Sequence, residues 1–198
     1  MFISFEGTEG VGKTTLINKL YEHFLQQNKQ VVLTREPGGT PLAEQIRQFL
    51  LSTTHTEKMS NDTELLLMYA ARAQHIQNVI KPALEAGQVV LCDRFCDASY
   101  AYQCAGRGLS PEKLQLLNQH FVSHMPDITF WLDAPIELGM ARARARGELD
   151  RFEQEKMEFF AKVRSGYAEI YQQQPERMKR LDASLGPDLV FAQALDYL

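Results

Sequence analysis

Between Phe2 and Gln26 the chain carries Gly7-Thr8-Glu9-Gly10-Val11-Gly12-Lys13-Thr14, which fits the spacing G-x-x-x-x-G-K-[ST]. No other stretch of the 198 residues limits the fold as strongly. Glycines let the backbone curl until several N–H groups converge, and a helix starting at the loop's end adds the positive pole of its dipole. Such a loop carries meaning only between a strand and a helix. Both flanks comply. Phe2 to Glu6 reads as a short buried strand, and Leu16, Leu20, Phe24 and Leu25 recur at helical spacing after Lys13. The loop therefore assigns a nucleotide phosphate site to Gly7, Thr8, Glu9, Gly10, Val11, Gly12, Lys13, Thr14 and Thr15. Lys13 neutralises β- and γ-oxygens, and the Thr14 hydroxyl can ligate Mg²⁺.

The rest of the chain alternates in the same way. Strand patterns at 31–34, 89–92, 128–132 and about 179–182 are separated by helical patterns. Helices are expected around Leu42, Ile46 and Leu50, from Asn61 toward Ile80, over 110–122, at about 135–146 and 152–173, and from Pro187 to Tyr197. Asn61 with Glu64 resembles a capping pair, Pro82 should end or kink its helix, and Ser110 should cap the helix that Pro111 opens. Alternating strands and helices imply a parallel sheet with helices on both faces. No repeat, low-complexity tract or linker divides the chain, so one domain over 1–198 is expected. The arginine-rich stretch at about 142–152 stands out from it as a candidate mobile lid.

Composition narrows the partners. The net charge of −4 argues against a surface for polyanions, so nucleic acid is not expected and any phosphate site must be local. Cys92, Cys96 and Cys104 form no paired spacing for a disulfide set or zinc and read as reduced structural thiols. The N-terminus lacks a basic segment followed by a long apolar one, and no run approaches the roughly 20 apolar residues of a membrane span. A cytoplasmic enzyme is the default expectation.

Several charged residues sit where a ligand would lie. Cys92-Asp93-Arg94 follows the apolar strand at 89–91, and the carboxyl ends of parallel strands open onto the binding crevice. Asp93 can hold Mg²⁺ directly or through water and Arg94 can clamp phosphate; the alternative is a surface ion pair. Thr34-Arg35-Glu36-Pro37-Gly38-Gly39 follows another strand at the same edge. Arg47 and Arg72 each interrupt an apolar helical face and must either pair internally or reach a ligand. Glu9 would repel a triphosphate if it pointed into the loop. Turned outward, it is either a solvated carboxylate or an acceptor for a sugar hydroxyl of a second ligand. A GTPase is dropped because Asn28-Lys29 is followed by Gln30-Val31 and not by N-K-x-D chemistry.

These motifs together resemble thymidylate kinases. Phe5-Glu6-Gly7 running into Gly10-Val11-Gly12-Lys13-Thr14-Thr15 is similar to the family's phosphate loop. Thr34 to Thr40 is similar to its second signature and Asp93-Arg94-Phe95 to its D-R-aromatic motif. Ala101-Tyr102-Gln103 with Gly106-Arg107-Gly108 resembles its downstream stretch, and Arg142 to Arg151 its bacterial arginine-rich lid. The resemblance spans residue 2 to about 183. It implies a nucleoside-monophosphate-kinase fold with a five-stranded parallel sheet of order 2-3-1-4-5, the reaction ATP + dTMP giving ADP + dTDP for dTTP synthesis, Mg²⁺ with ATP, and a homodimer. It places the dTMP phosphate on Arg35, Arg47 and Arg94, with Glu36 and Pro37 beside it, and a 3′-hydroxyl on Glu9. Thymine falls to Met68, Arg72, Ser99 and Gln103, and Tyr102 lies near the sugar 2′ position. Adenine falls near Asp182-Ala183-Ser184, and Arg142 near ATP. Many members carry phenylalanine where Met68 stands, and a thioether packs less rigidly against a ring. Tyr69, about 100° further round the helix, is not expected to replace it. Arg142 and Arg146 should share a helical face, which Gly147 ends. Arg146 is implied to supply the catalytic charge that other members place in the phosphate loop, alongside Lys13 and Arg94. A related kinase of another specificity and a non-catalytic nucleotide sensor remain the competing readings.

Overall fold

The computed structural model describes residues 1–145 and 150–198. Strand β1 (Phe2–Glu6) is buried throughout and runs into the phosphate loop and helix α1 (Lys13–Gln26). Strand β2 (Val31–Arg35) leads to α2 (Pro41–Leu51), where the Thr40 hydroxyl accepts from the Ala43 N–H and caps the helix. Then come α3 (Asn61–His75), a five-residue π-helical stretch Ile76–Ile80 and the short α4 (Lys81–Glu85). Strand β3 (Val89–Asp93) precedes α5 (Cys96–Ser99), which passes directly into a second π-helical stretch, Tyr100–Gly106. Helix α6 (Pro111–Phe121), β4 (Ile128–Asp133), α7 (Ile136–Arg144), α8 (Met157–Gln173), β5 (Met178–Asp182) and α9 (Pro187–Leu195) follow.

The five strands form one parallel sheet in the order β2-β3-β1-β4-β5, as the resemblance implies. Alternate side chains leave the sheet on opposite faces. Ile3, Phe5, Leu91, Phe130 and Leu132 pack with Leu16, Leu20, Phe24 and Val190 on the face covered by α1 and α9. The other face is split. Phe2, Val90 and Cys92 meet Ile76, Ile80 and Phe95, while Trp131 and Met178 meet Phe160, Val163 and Tyr167 of α8. Between these halves runs a buried polar seam. Ser4 and Thr129 share a 2.7 Å hydrogen bond, and Asp97 receives both Arg177 terminal nitrogens at 2.6 and 2.8 Å.

Several element ends differ from the sequence pattern. Ser60, not Asn61, caps α3, because its hydroxyl reaches the Thr63 N–H at 3.1 Å. Glu64 is consequently free for a different role. Pro82 does not end the helical run. The widened turn over Ile76–Ile80 resets the register so that Pro82 enters at the start of α4, where its missing N–H costs little. The 96–106 segment, which lacks a clear apolar period, is helical. Helix α7 stops at Arg144, so the expected pairing of Arg142 with Arg146, and Gly147 as its terminator, lie outside the described residues. Helix α8 begins at Met157 instead of about 152. The Asp150 carboxylate accepts the Phe152 and Glu153 N–H groups, and that local turn precedes the helix. Helix α9 ends at Leu195, two residues early. All three cysteines are free and buried. No helix among the described residues is long and apolar enough to cross a membrane.

Candidate active site

The carboxyl ends of β1, β2 and β3 carry Glu6, Arg35 and Asp93, and they open onto a cavity of about 800 Å³. At one end its wall is the phosphate loop from Glu9 to Thr15, with Arg142, Ala183, Leu185 and Val190. At the other end the wall is Met68, Arg72, Ser99, Tyr102 and Gln103. Glu36, Pro37, Arg47, Asp93 and Arg94 lie between.

The loop is held against α7 by backbone contact. A methyl group at Gly10 would stand 2.0 Å from the Gly139 carbonyl oxygen, and one at Gly139 would stand 2.3 Å from the Glu9 carbonyl oxygen. Gly10 also has φ +69°, where a side chain is strained. The Lys13 ammonium lies over the loop and donates to the Thr8 and Gly7 carbonyls at 3.1 and 3.3 Å. Burial, helped by the nearby Arg94 cation, lowers its pKa to about 8, against partial opposition from Asp93, Glu9 and Glu6. Gly7 and Thr8 thus serve by cradling Lys13; neither lines the cavity itself.

Arg94 occupies a left-handed backbone position, φ +69°, rare for a residue with a side chain. Its amide donates to the Phe5 carbonyl at 2.9 Å, which locks the turn after β3. Its guanidinium donates to the Gly7 carbonyl at 2.8 Å, to the Tyr167 hydroxyl at 3.2 Å and to Glu9 Oε1 at 3.0 Å, and lies over the Tyr102 ring. Glu9 Oε1 also accepts from the Tyr102 hydroxyl at 2.7 Å. Glu9 therefore turns away from the loop interior, and its second oxygen, Oε2, is buried without a partner. Beneath Arg94, Glu6 accepts from the Phe95 N–H at 2.7 Å and the Tyr167 hydroxyl at 2.8 Å. Burial and the neighbouring Asp97 charge push Glu6 up to about 8, although Arg94, Tyr167 and the Phe95 N–H all favour its ionised form.

Of the two alternatives open for Arg72, the internal pair is formed. It pairs internally, Nε to Glu36 Oε2 at 2.7 Å and Nη2 to the Ser99 hydroxyl at 3.0 Å, yet its Nη1 is buried and unpartnered at the cavity wall. Glu36 is held in turn by His75 Nδ1 at 2.9 Å, and His75 Nε2 meets the Thr34 hydroxyl. The Glu36-Pro37 peptide is cis, and the Pro37 carbonyl accepts from Arg47 at 2.9 Å. Met68 reaches the wall, whereas Tyr69 is buried beneath Arg72 with its hydroxyl on Asn118. Asp93 lines the centre of the cavity, with Oδ1 buried and unpartnered, and Thr14 is exposed at the first turn of α1.

Arg35 is not brought to the wall. Glu44, in the first turn of α2, takes its Nε at 3.2 Å and its Nη2 at 2.9 Å on the exposed side. Arg142 lines the loop end, while the exposed Arg144 does not, and Arg146 lies outside the described residues. Sequence reasoning left five contributors out of the site. Asp150, Phe152 and Glu153 form part of the wall. Gly139 carries a signal in its composition, since a glycine inside a helix is costly without a packing reason. Tyr167 sits in an apolar helical stripe and reads as core, but a buried tyrosine hydroxyl demands a partner, here Glu6.

The profile of the family described as Thymidylate kinase matches residues 5–194. The chain is 73% identical over 198 residues to the thymidylate kinase of Acinetobacter baumannii (strain AYE), covering all of both. It is 53% identical over 199 residues to that of Pseudomonas entomophila (strain L48), covering all of this chain and 94% of the relative. The crystal structure of thymidylate kinase from Ehrlichia chaffeensis is similar with a TM-score of 0.82 at 33% identity, covering 99% of this chain and 97% of that one. With the phosphate loop, the five-stranded parallel sheet and this match along nearly its whole length, the chain belongs to the thymidylate kinase family.

Proposed function

We propose that the cavity is a two-substrate site in which ATP lies along the phosphate loop and dTMP fills the end walled by Met68, Arg72, Ser99 and Gln103. The chain is a kinase that phosphorylates dTMP in dTTP synthesis. One observation carries the assignment of ends. Buried polar atoms without partners mark three separate places in one cavity: Asp93 Oδ1, Glu9 Oε2 and Arg72 Nη1. Leaving such groups unmade is costly, so each is read as awaiting a ligand.

Glu9 Oε2 suits the donor hydrogen of a sugar 3′-hydroxyl. Arg72 Nη1 suits the O4 acceptor of thymine. Tyr102, fixed on Glu9, closes the space beside the sugar 2′ position. Arg94 and Arg47 bind the acceptor phosphate; Arg35 would join them only by leaving Glu44. Asp93 Oδ1 and the Thr14 hydroxyl fit a Mg²⁺ ion. Among the described residues no cluster of three His, Cys, Asp or Glu exists to hold one alone, and this ion typically binds through one or two carboxylates plus substrate phosphates. When bound, the ion supplies positive charge to the phosphoryl oxygens.

The acceptor is a phosphate oxygen, already ionised at neutral pH, so no strong general base is needed. Transfer depends on alignment and on cations. Lys13 sits at the loop, Arg94 bridges the two ends, and Arg146 of the lid brings the remaining charge. Ala183, Leu185 and Val190 offer an apolar wall for adenine. The reading includes a cytoplasmic location and a homodimer. Leu66 on α3 and Leu116 and Phe121 on α6 are each more than half exposed and suit a subunit contact, which light scattering would detect. The central test is a coupled ADP-release assay over dTMP, dUMP, dCMP, AMP and GMP. Preference for dTMP is expected; preference for AMP or GMP, or no acceptor-dependent ADP, overturns the reading.

A further inference from the structure

We propose that Glu64 is a positioning residue that sets base specificity by fixing which face of the Gln103 amide meets the base. The inference rests on placing thymine at this end of the cavity. Glu64 lies on α3, 2% exposed, and is not part of the cavity wall. Its two oxygens accept three hydrogen bonds and pair with a further cation. Gln103 Nε2 reaches Oε1 at 3.0 Å, Arg107 Nε reaches Oε1 and Nη2 reaches Oε2, both at 3.3 Å, and Arg151 Nη1 lies 2.8 Å from Oε2. Two guanidinium groups offset the cost of burying this charge. Each is anchored elsewhere as well, Arg107 on Glu155 and Arg151 on the Leu50 carbonyl.

A carboxylate only accepts hydrogen bonds, so the amide atom facing it must be the NH₂. The orientation of the Gln103 amide therefore follows from chemistry. Its carbonyl Oε1 is left facing the other way. No described residue donates to Oε1, and Gln103 lines the cavity. Beside it the wall also holds the unpartnered donor Arg72 Nη1. The pair, one acceptor and one donor, complements the N3–H and O4 of thymine or uracil. Cytosine offers the reverse, an N3 acceptor and an N4–H₂ donor. A flipped Gln103 would suit cytosine N3, and the acceptor-only Glu64 forbids the flip.

Glu64→Gln removes that restriction, since an amide can present either group. In this variant the ratio of kcat/KM for dTMP over dCMP should fall roughly tenfold or more. The dTMP-to-dUMP ratio should not move, because both bases share the same edge. Glu64→Asp, still acceptor-only, should keep the dTMP-to-dCMP ratio of the parent. A residue that merely supports the fold would slow all three acceptors together, so an unchanged dTMP-to-dCMP ratio in the Gln variant overturns the proposal. Should that variant not fold, neutron diffraction from the unsubstituted chain decides. Amide deuterons of Gln103 directed at Glu64 are expected, and deuterons directed into the cavity overturn it. Gln103→Leu tests the base placement separately. An unchanged kcat/KM for dTMP in that variant removes the placement of thymine, whatever Glu64 does.

Discussion

Under the proposed assignment, the two ends of the cavity, one for phosphate and one for the base, are built by different means. The phosphate end is one contiguous loop, Glu9 to Thr15, whose working parts are backbone groups, one lysine and one hydroxyl. The base end is assembled from buried charges on separate elements. Arg72 and Glu64 come from α3, Glu36 from the turn after β2, and Ser99, Tyr102 and Gln103 from the helical segment after β3. The contrast follows from the ligands. A phosphate is a compact anion that any convergent set of N–H groups will hold. A base must be distinguished by the positions of single donors and acceptors, which requires side chains locked by their neighbours. Exposure reflects this. Thr14 and Thr15 are exposed, whereas Glu64, Arg72 and Gln103 are 2% exposed or less.

The largest expected effect falls at Arg146 in the proposed lid. Arg146→Ala should lower kcat by about 10³–10⁵, as loss of an arginine finger does, with little change in dTMP affinity. An unchanged kcat removes Arg146 from the chemistry.

Next comes the base end. Arg72→Met strips Glu36 of its closest cation, so it should both lower kcat/KM for dTMP by about 10²-fold or more and destabilise the fold by about 3–5 kcal/mol. Denaturant unfolding beside the kinetic assay reads both. A loss of activity without a loss of stability would show the base end to be less interlocked than described.

A smaller effect belongs to the phosphate end. Gly139→Ala drives a methyl group against the Glu9 carbonyl, and overpacking of this kind costs about 1–3 kcal/mol. KM for ATP should rise while the dTMP-to-dCMP preference stays as it was. Movement of that preference would mean that the two ends are not separable.

The smallest effect is a pH dependence. Lys13 has its pKa lowered to about 8, so in the free enzyme it loses its charge as pH rises through that value. Bound phosphates favour the charged form and raise the pKa again. Consequently kcat/KM for ATP should decline above about pH 8, at most tenfold per pH unit, while kcat holds to higher pH. The same shift affects stability in the opposite sense. Between about 8 and the usual 10.5 the unfolded chain binds more protons, so the penalty for burying Lys13 is relieved as pH rises. A kcat/KM profile flat to pH 9.5 would exclude the lowered pKa.

The legibility of each end in the sequence follows the same division. Gly7 to Thr14 could be read directly because all its parts lie within one short segment and their spacing is their function. The strands were legible too, because β1, β3 and β4 are buried and apolar and alternate with helices. The residues Arg47, Arg72, Asp93 and Arg94 could be picked out as charges at strand ends or on apolar faces, but their partners could not. Nothing near Arg72 in the chain announces Glu36 or Ser99, and Glu64 looked like part of a helix cap. Arg35, at a strand end like the others, lies instead on Glu44, because a carboxylate in the first turn of α2 was nearer than the cavity. Ile76–Ile80 falls within the expected helix, but its widening to a π-helical turn was not legible, and Tyr100–Gly106 was not read as helical at all, since a widened turn breaks the 3.6-residue spacing on which such reading depends.

The alternating architecture, the phosphate loop and the family are all legible along the chain, because each rests on local spacing and on the order of motifs. That Glu9 turns outward onto Arg94 and Tyr102, that Arg72 keeps one donor free, and that Glu64 joins Gln103 to Arg107 and Arg151 emerges only from the fold. Those outcomes depend on hydrogen bonds between residues dozens of positions apart. Their geometry exists only once the sheet has brought the strand ends together and burial has made every unpaired polar group costly.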